Sequence, residues 1–239
     1  MEIPCDRPLE NEEFIRELSE KRVQEKSREW FRTSASLNTM EKNLQMAGTY
    51  FFTVYNSDRR AERYTYQWLD KEYREVLIAV EDRTVEMEKD PLTDYLNRDG
   101  FVRKTENILK KNADRYQFAI IYFNIRKFSG LNAVYGYENG DKIIRSYMDR
   151  IQNSTLRPLA LGRVAADRFQ ALVDVKNLEP AELGKLLQYQ MQIGEKQVKI
   201  YGRCGIYYIP KQCKLDVSQM CDLAKIAKNK ISNQYVQPY

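Results

Sequence analysis

The residues able to do chemistry gather in three stretches of the second half of the chain. Arg163-Val164-Ala165-Ala166-Asp167-Arg168-Phe169 lies between the apolar runs 159–161 and 169–173 and reads as the tip of a β-hairpin. Upstream, Ile120-Ile121-Tyr122-Phe123-Asn124-Ile125-Arg126-Lys127-Phe128 is an apolar strand whose end carries polar groups. Between the two runs Asn132-Ala133-Val134-Tyr135-Gly136-Tyr137-Glu138-Asn139-Gly140-Asp141. A divalent cation of the magnesium kind wants carboxylate oxygens. Here the strand end offers an amide, Asn124, and the tip offers Asp167 beside Arg168. An amide carbonyl is a weak, neutral partner for such an ion, and a guanidinium repels it. Two unit charges ~4 Å apart at an effective dielectric of ~20 interact by about 4 kcal/mol. Guanidinium groups instead suit phosphate oxygens.

Composition narrows the chemistry further. The 239 residues contain no histidine, which removes histidine bases, histidine triads and histidine-ligated zinc. Cys5, Cys204, Cys213 and Cys221 show no CxxC pair and no metal-ligand spacing, and read as reduced thiols. No apolar run approaches the ~20 residues of a membrane helix, and no signal peptide is visible, so a cytoplasmic protein is expected. The net charge of +5 is uneven. Residues 1–88 hold 14 Lys and Arg against 19 Asp and Glu, so the basic excess falls on residues 89–239. A basic half suits a phosphorylated ligand or an acidic partner, or is a solvated surface; nucleic acid is not expected.

The elements that must position these groups fall into two parts. In residues 1–88, helical spacing of Phe14, Ile15, Leu18 and Val23 predicts one helix over about 10–30. Strand-like runs at 49–55, 63–69 and 75–80, separated by short polar turns, predict an antiparallel meander. In residues 89–239, a helix is expected over 98–112 and a doubly buried strand over 117–125. A short helix at 128–134 follows, then a turn punctuated by Gly136 and Gly140, then a helix carrying Ile143, Ile144, Tyr147, Met148 and Ile151. The hairpin spans 159–175, a helix opens near Pro180, a strand covers 198–209 and a last helix 217–230. This order, with its antiparallel hairpin, reads as α+β.

The three stretches together resemble the signature of GGDEF domains, the diguanylate cyclase family. Asp90-Pro91-Leu92-Thr93-Asp94-Tyr95-Leu96-Asn97-Arg98 is similar to that family's opening motif, DPLTGLLNR. The meander, ending in Val80-Glu81-Asp82-Arg83-Thr84, resembles the last three strands of a PAS sensor domain, which commonly close on Asp-Ile-Thr. The first two PAS strands are not found. The resemblance therefore implies a partial PAS-like sensor at 1–88, an antiparallel sheet plus helix, and a palm-like GGDEF domain at 89–239, a central sheet flanked by helices.

In that family each domain binds one GTP, and two domains meet to condense two GTP into cyclic di-GMP with two magnesium ions. The resemblance puts the metal-holding acids at Asn124 and Arg168 and a second strand-end acid at Arg126. The two glycines of the hairpin tip are Ala165 and Ala166, and Asp167 remains as the motif's third letter. Asn132 and Asp141 match the guanine readers, and Arg163 also matches. Ala227-Lys228-Asn229-Lys230-Ile231-Ser232-Asn233 is similar to the family's AKxxGRN, with Lys228 and Asn233 kept and the glycine and arginine lost. The inhibitory product motif RxxD is absent from Leu156-Arg157-Pro158-Leu159. Read without the family, Asp141 caps the following helix and Asn132 satisfies a turn.

Three readings follow. One is a catalytically inactive GGDEF module in cyclic di-GMP signalling, with Asn132, Asp141, Lys228, Arg168 and Arg126 as nucleotide contacts, GTP as the ligand left open and magnesium not expected. Its partner would be a downstream EAL-type domain or another protein, the chain being a piece of a longer one. The second is an active diguanylate cyclase. The third is a structural module that forms homodimers.

Overall fold

A computed structural model describes residues 11–72, 75–112, 117–230 and 236–238; Ile231, Ser232, Asn233 and Cys5 lie outside the described residues. The chain divides into two compact units, Met1–Met87 and Glu88–Tyr239.

In the first unit α1 (Asn11–Arg22), α2 (Arg28–Ala35) and α3 (Leu37–Ala47) precede the strands β1 (Thr49–Tyr55), β2 (Ala61–Asp70) and β3 (Glu75–Asp82), and the short α4 (Thr84–Met87) ends it. The strands form an antiparallel meander in the order β1-β2-β3. Phe31 from α2 packs edge-on against Phe52 and Tyr64 of the sheet, and Met40 and Leu44 of α3 join the same cluster. The aromatic residues of β1 and β2 thus serve as core. On β3, Leu77, Ile78 and Val80 remain exposed.

The single helix expected over 10–30 is a correction. The helix stops at Arg22 because Val23 bridges Asn56 and the Gln24 N–H donates to Tyr55 O at 2.9 Å, which draws the chain onto the end of β1. α3 was not anticipated. Ser36 caps its start by accepting from the Thr39 N–H, and Gly48 at φ 74 closes it in the left-handed conformation.

The second unit contains α5 (Arg98–Asn112), β4 (Phe118–Ile125), α6 (Phe128–Tyr135), α7 (Tyr137–Gln152), β5 (Ala160–Ala165), β6 (Arg168–Asp174), α8 (Pro180–Leu187), β7 (Gln188–Ile193), β8 (Lys196–Tyr208), α9 (Val217–Asn229) and β9 (Val236–Pro238). The sheet runs β5-β6-β4-β8-β7, every pair antiparallel, with β9 beside β8 in parallel. β4 is central and covered on both faces. Ala119, Ile121, Phe123 and Ile125 meet the α7 and α8 core, while Phe118, Ile120 and Tyr122 meet residues of α5 and α9.

Three further expectations change. A strand, β7, precedes β8, so the helix opened by Pro180 ends at Leu187 and Gly194, at φ 59, turns the chain between the strands. α7 begins at Tyr137, so Gly140 is helical rather than a turn residue, and Asp141 lies beyond the capping position. Asn132 sits within α6, not in a turn.

Gly205 of β8 lets α9 lie directly on the sheet. A Cβ there would collide with the backbone at Ala224 and Lys228. Gly205→Ala is therefore expected to lower stability by about 1–3 kcal/mol, the usual range for overpacking, read as a reduced urea midpoint; an unchanged midpoint would show that α9 can lift away without loss.

Candidate functional site

Asn124 is the one residue of β4 that is not fully buried. Its cross-strand partners are Arg168 on β6 and Arg203 on β8. Directly opposed residues project to the same side of a sheet, so an arginine–asparagine–arginine row crosses the three strands. The Asn124 amide Nδ2 donates to Asp167 Oδ2 at 2.5 Å and to Ile125 O at 3.0 Å. The Ile125 N–H donates to Asp167 O at 3.3 Å, which ties the hairpin tip to the strand end.

The tip itself is bent. The β5–β6 register shifts between Arg163 and Ala165, and Ala166 takes φ 43. Only the second alanine of the pair therefore occupies the left-handed region that favours glycine. Arg163 braces the turn. Its Nε donates to Ala166 O at 2.8 Å, and its Nη1 reaches Asp90 Oδ1 at 3.1 Å and Oδ2 at 3.2 Å. Both partners of this pair are largely buried. Asp90 Oδ1 also accepts from the Thr93 N–H and hydroxyl, so the opening motif and the hairpin form one hydrogen-bonded unit.

A cleft of about 560 Å³ opens beside the row. Its walls include Asn124, Arg126, Asn132, Ala166, Asp167 and Arg203, together with the segment from Lys127 to Ser129 that leads into α6. Asp167 is the one carboxylate among them. Lys127 takes φ 51 immediately before α6. The side chain of Asn132 presses against Gly140, where any Cβ would collide with its Oδ1, and that oxygen is buried without a hydrogen-bond partner. Asp141, the next residue of α7, is not among the cleft-lining residues.

Two placements differ from the sequence reading. Arg168 does not line this cleft; it lines a separate, smaller cavity with Tyr122, Gln170 and Lys225. Arg203, not anticipated, supplies the guanidinium instead. Its Nε is buried without a hydrogen-bond partner, and it makes no ion pair among the described residues. The signal was present in the sequence: Arg203 is a lone charge within Gly202-Arg203-Cys204-Gly205-Ile206. What periodicity could not supply was its cross-strand neighbour.

Lys228 approaches from α9, its Nζ 5.7 Å from the centroid of the Tyr122 ring. Burial, reinforced by Arg168 and Arg203, pushes its pKa down, and Asp167 opposes the shift. The combined arrangement is a cationic cleft with amide donors and a single acid. Such a set binds oxyanions more readily than it gathers divalent cations. Among the described residues, no helix is long and apolar enough to cross a membrane.

Comparison with known proteins places this geometry in a wider group. The family described as "Diguanylate cyclase, GGDEF domain" matches residues 87–235. The uncharacterized protein YhcK of Bacillus subtilis is 29% identical over 94 residues, covering 38% of this chain and 26% of that protein. The bifunctional diguanylate cyclase/cyclic di-GMP phosphodiesterase MucR of Pseudomonas aeruginosa is 26% identical over 104 residues, covering 41% of this chain and 15% of that protein. The matches thus span a minor part of these relatives. Among solved structures, the GGDEF domain of TpbB (YfiN) from Pseudomonas aeruginosa superimposes with a TM-score of 0.53 at 20% identity, covering 63% of this chain and 93% of that chain.

The backbone at Ala166 yields a direct test. Ala166→Gly is expected to raise stability by roughly 0.5–1 kcal/mol, the relief of a left-handed Cβ less the added freedom of the unfolded glycine. A urea denaturation series in which the glycine variant is no more stable would mean that the turn bears no strain.

Proposed function

The chain belongs to the diguanylate cyclase GGDEF-domain family, and on that premise we propose that residues 89–239 are a GGDEF module without cyclase chemistry, acting in cyclic di-GMP signalling as a receiver or relay. The observation that carries this reading is the donor set at the end of β4. Asn124 and Arg168 stand where the resemblance puts the metal-holding acids. The remaining acid, Asp167, already accepts from the Asn124 amide. Magnesium demands several oxygen ligands in near-octahedral geometry. One carboxylate between arginines does not fit a pair of such ions, so no step is derived through them.

A guanine nucleotide is the ligand the cleft suits. Asn132, in the cleft wall, keeps the residue type that would read a guanine edge; Asp141, the other matching position, lies outside that wall. Arg203 and Arg126 supply fixed positive charge for the phosphates, in place of metal ions, with Lys228 nearby. Arg168, assigned that role from sequence, is better matched to the neighbouring cavity. Residues 1–88 act in this reading as a partial PAS-like sensor, supported by the meander with helices packed on its aromatic face. The output is a downstream EAL-type domain or a partner protein in the cytoplasm. The pairing of two activities in MucR, of which this chain matches a small part, supports that arrangement. A second reading, a homodimerising module, is favoured by the exposed Leu77, Ile78 and Val80 on edge strand β3.

Incubation with GTP and either magnesium or manganese is expected to yield no cyclic di-GMP. Recovery should require Asn124→Asp and Arg168→Glu together with glycines at 165 and 166; turnover restored by any single change would reject the reading. Calorimetric titration of GTP in the presence of EDTA should give saturable binding that Arg203→Gln weakens by about tenfold or more, the usual worth of a charge-assisted hydrogen bond. Strict dependence on magnesium would overturn the metal-free assignment.

A further inference from the structure

We propose that the smaller cavity lined by Arg168 is a second site, for a small phosphate group that still carries a proton. This cavity, of about 270 Å³, is separate from the nucleotide cleft and shares no lining residue with it. Its walls bring together Arg98 from the first turn of α5, Arg168 from the start of β6 and Lys225 from α9. None of these three cations makes an ion pair among the described residues. Asp222 is the one carboxylate in the wall, so the cavity carries an excess of positive charge.

The second observation is Gln170. It lies in β6, where Phe169, Ala171, Leu172 and Val173 are buried and apolar, and it is itself only 5% exposed. Its Oε1 is buried without a hydrogen-bond partner. An unmet buried acceptor costs on the order of 1–3 kcal/mol, and an apolar residue would fill the strand without that loss. Gln170 lines the cavity, and its neighbours in register are Tyr122 and Gly162; the hydroxyl of Tyr122, which also lines the cavity, makes no hydrogen bond to the Gln170 Oε1. A ligand that donates a hydrogen bond would satisfy it.

These features together define a ligand. Three cations call for an oxyanion. Two acceptors, Gln170 Oε1 and the Asp222 carboxylate, call for a proton on that anion. A volume below the ~300 Å³ at which drug-sized pockets begin calls for a small group. Phosphate meets all three conditions near neutral pH, because it keeps a P–OH. Sulfate has the same shape and charge but no proton, and would turn lone pairs toward both acceptors. The site therefore selects phosphate over sulfate, by the same logic that lets a buried hydrogen-bond partner reject an otherwise isosteric ligand.

The test uses the full chain in calorimetric titrations at matched ionic strength, with inorganic phosphate, sulfate and glycerol 3-phosphate as probes. Saturable phosphate binding, and weaker or absent sulfate binding, is expected. Arg168→Gln and Lys225→Gln, both changes at solvent-accessible side chains, should each weaken phosphate by about tenfold or more. Arg203→Gln, in the other cleft, should weaken phosphate less than Arg168→Gln does. Binding of glycerol 3-phosphate that strengthens as pH falls through its second pKa of ~6, where the P–OH returns, would assign the site to a phosphomonoester; its exclusion would assign it to free phosphate. Gln170→Leu should erase the phosphate preference, and if that variant fails to fold the two surface variants still decide. No saturable phosphate binding, equal binding of sulfate, or loss with Arg203→Gln but not Arg168→Gln would overturn the proposal.

Discussion

The double burial of β4 constrains everything around it. A strand covered on both faces can carry polar chemistry only where its cover ends, and in this chain that place is Asn124. The identity of this one side chain then decides what the surrounding groups can do. An aspartate there would face Asp167 across a hydrogen-bond distance, and two carboxylates so close need a cation or a shared proton to coexist. The amide removes the conflict by donating to Asp167 instead. The strand end is thereby satisfied within the protein, with no ion required for the fold.

The flanking arginines fit the same logic. Arg168 and Arg203 stand on either side of Asn124, two strand spacings or ~10 Å apart, where like charges at an effective dielectric of ~20 repel by less than ~2 kcal/mol before solvent screening. That repulsion is small enough to tolerate but is best relieved by separation, and the two side chains do line different cavities. Lys228 lies within the field of both, and its depressed pKa reflects burial first and these neighbours second. The excess positive charge of the second half of the chain is thus concentrated, in part, around the cleft and the smaller cavity.

Much of this scaffold was legible in the sequence. The run 117–125 announced a buried central strand by its continuous apolar character, and the turn between Leu161 and Phe169 announced the hairpin. Two kinds of feature were not legible. Helix ends set by tertiary pairing were missed: the break at Val23 comes from bonds to Tyr55 and Asn56, which no local pattern encodes. β7 was missed because Gln188-Tyr189-Gln190-Met191-Gln192 alternates weakly and only its pairing with β8 makes it a strand. The site was legible as a set of positions but not as a set of directions. Asn124 and Asp167 could be assigned together from their motifs, whereas the arrival of Arg203 depends on cross-strand register and the absence of Arg168 from the cleft wall on its three-dimensional placement.

The hairpin tip is a turn whose shape is held by groups outside its own residues. Ala166 retains a positive φ although it carries a Cβ, so something other than residue preference holds the turn. Arg163 does this from two directions, gripping the Ala166 carbonyl on one side and the Asp90 carboxylate on the other. Asp167 adds a third tie through its backbone carbonyl to Ile125. These bonds act on the backbone and on a residue outside the hairpin, and none needs a glycine or a bound ion. The geometry of the tip is therefore set by its bracing rather than by its own sequence.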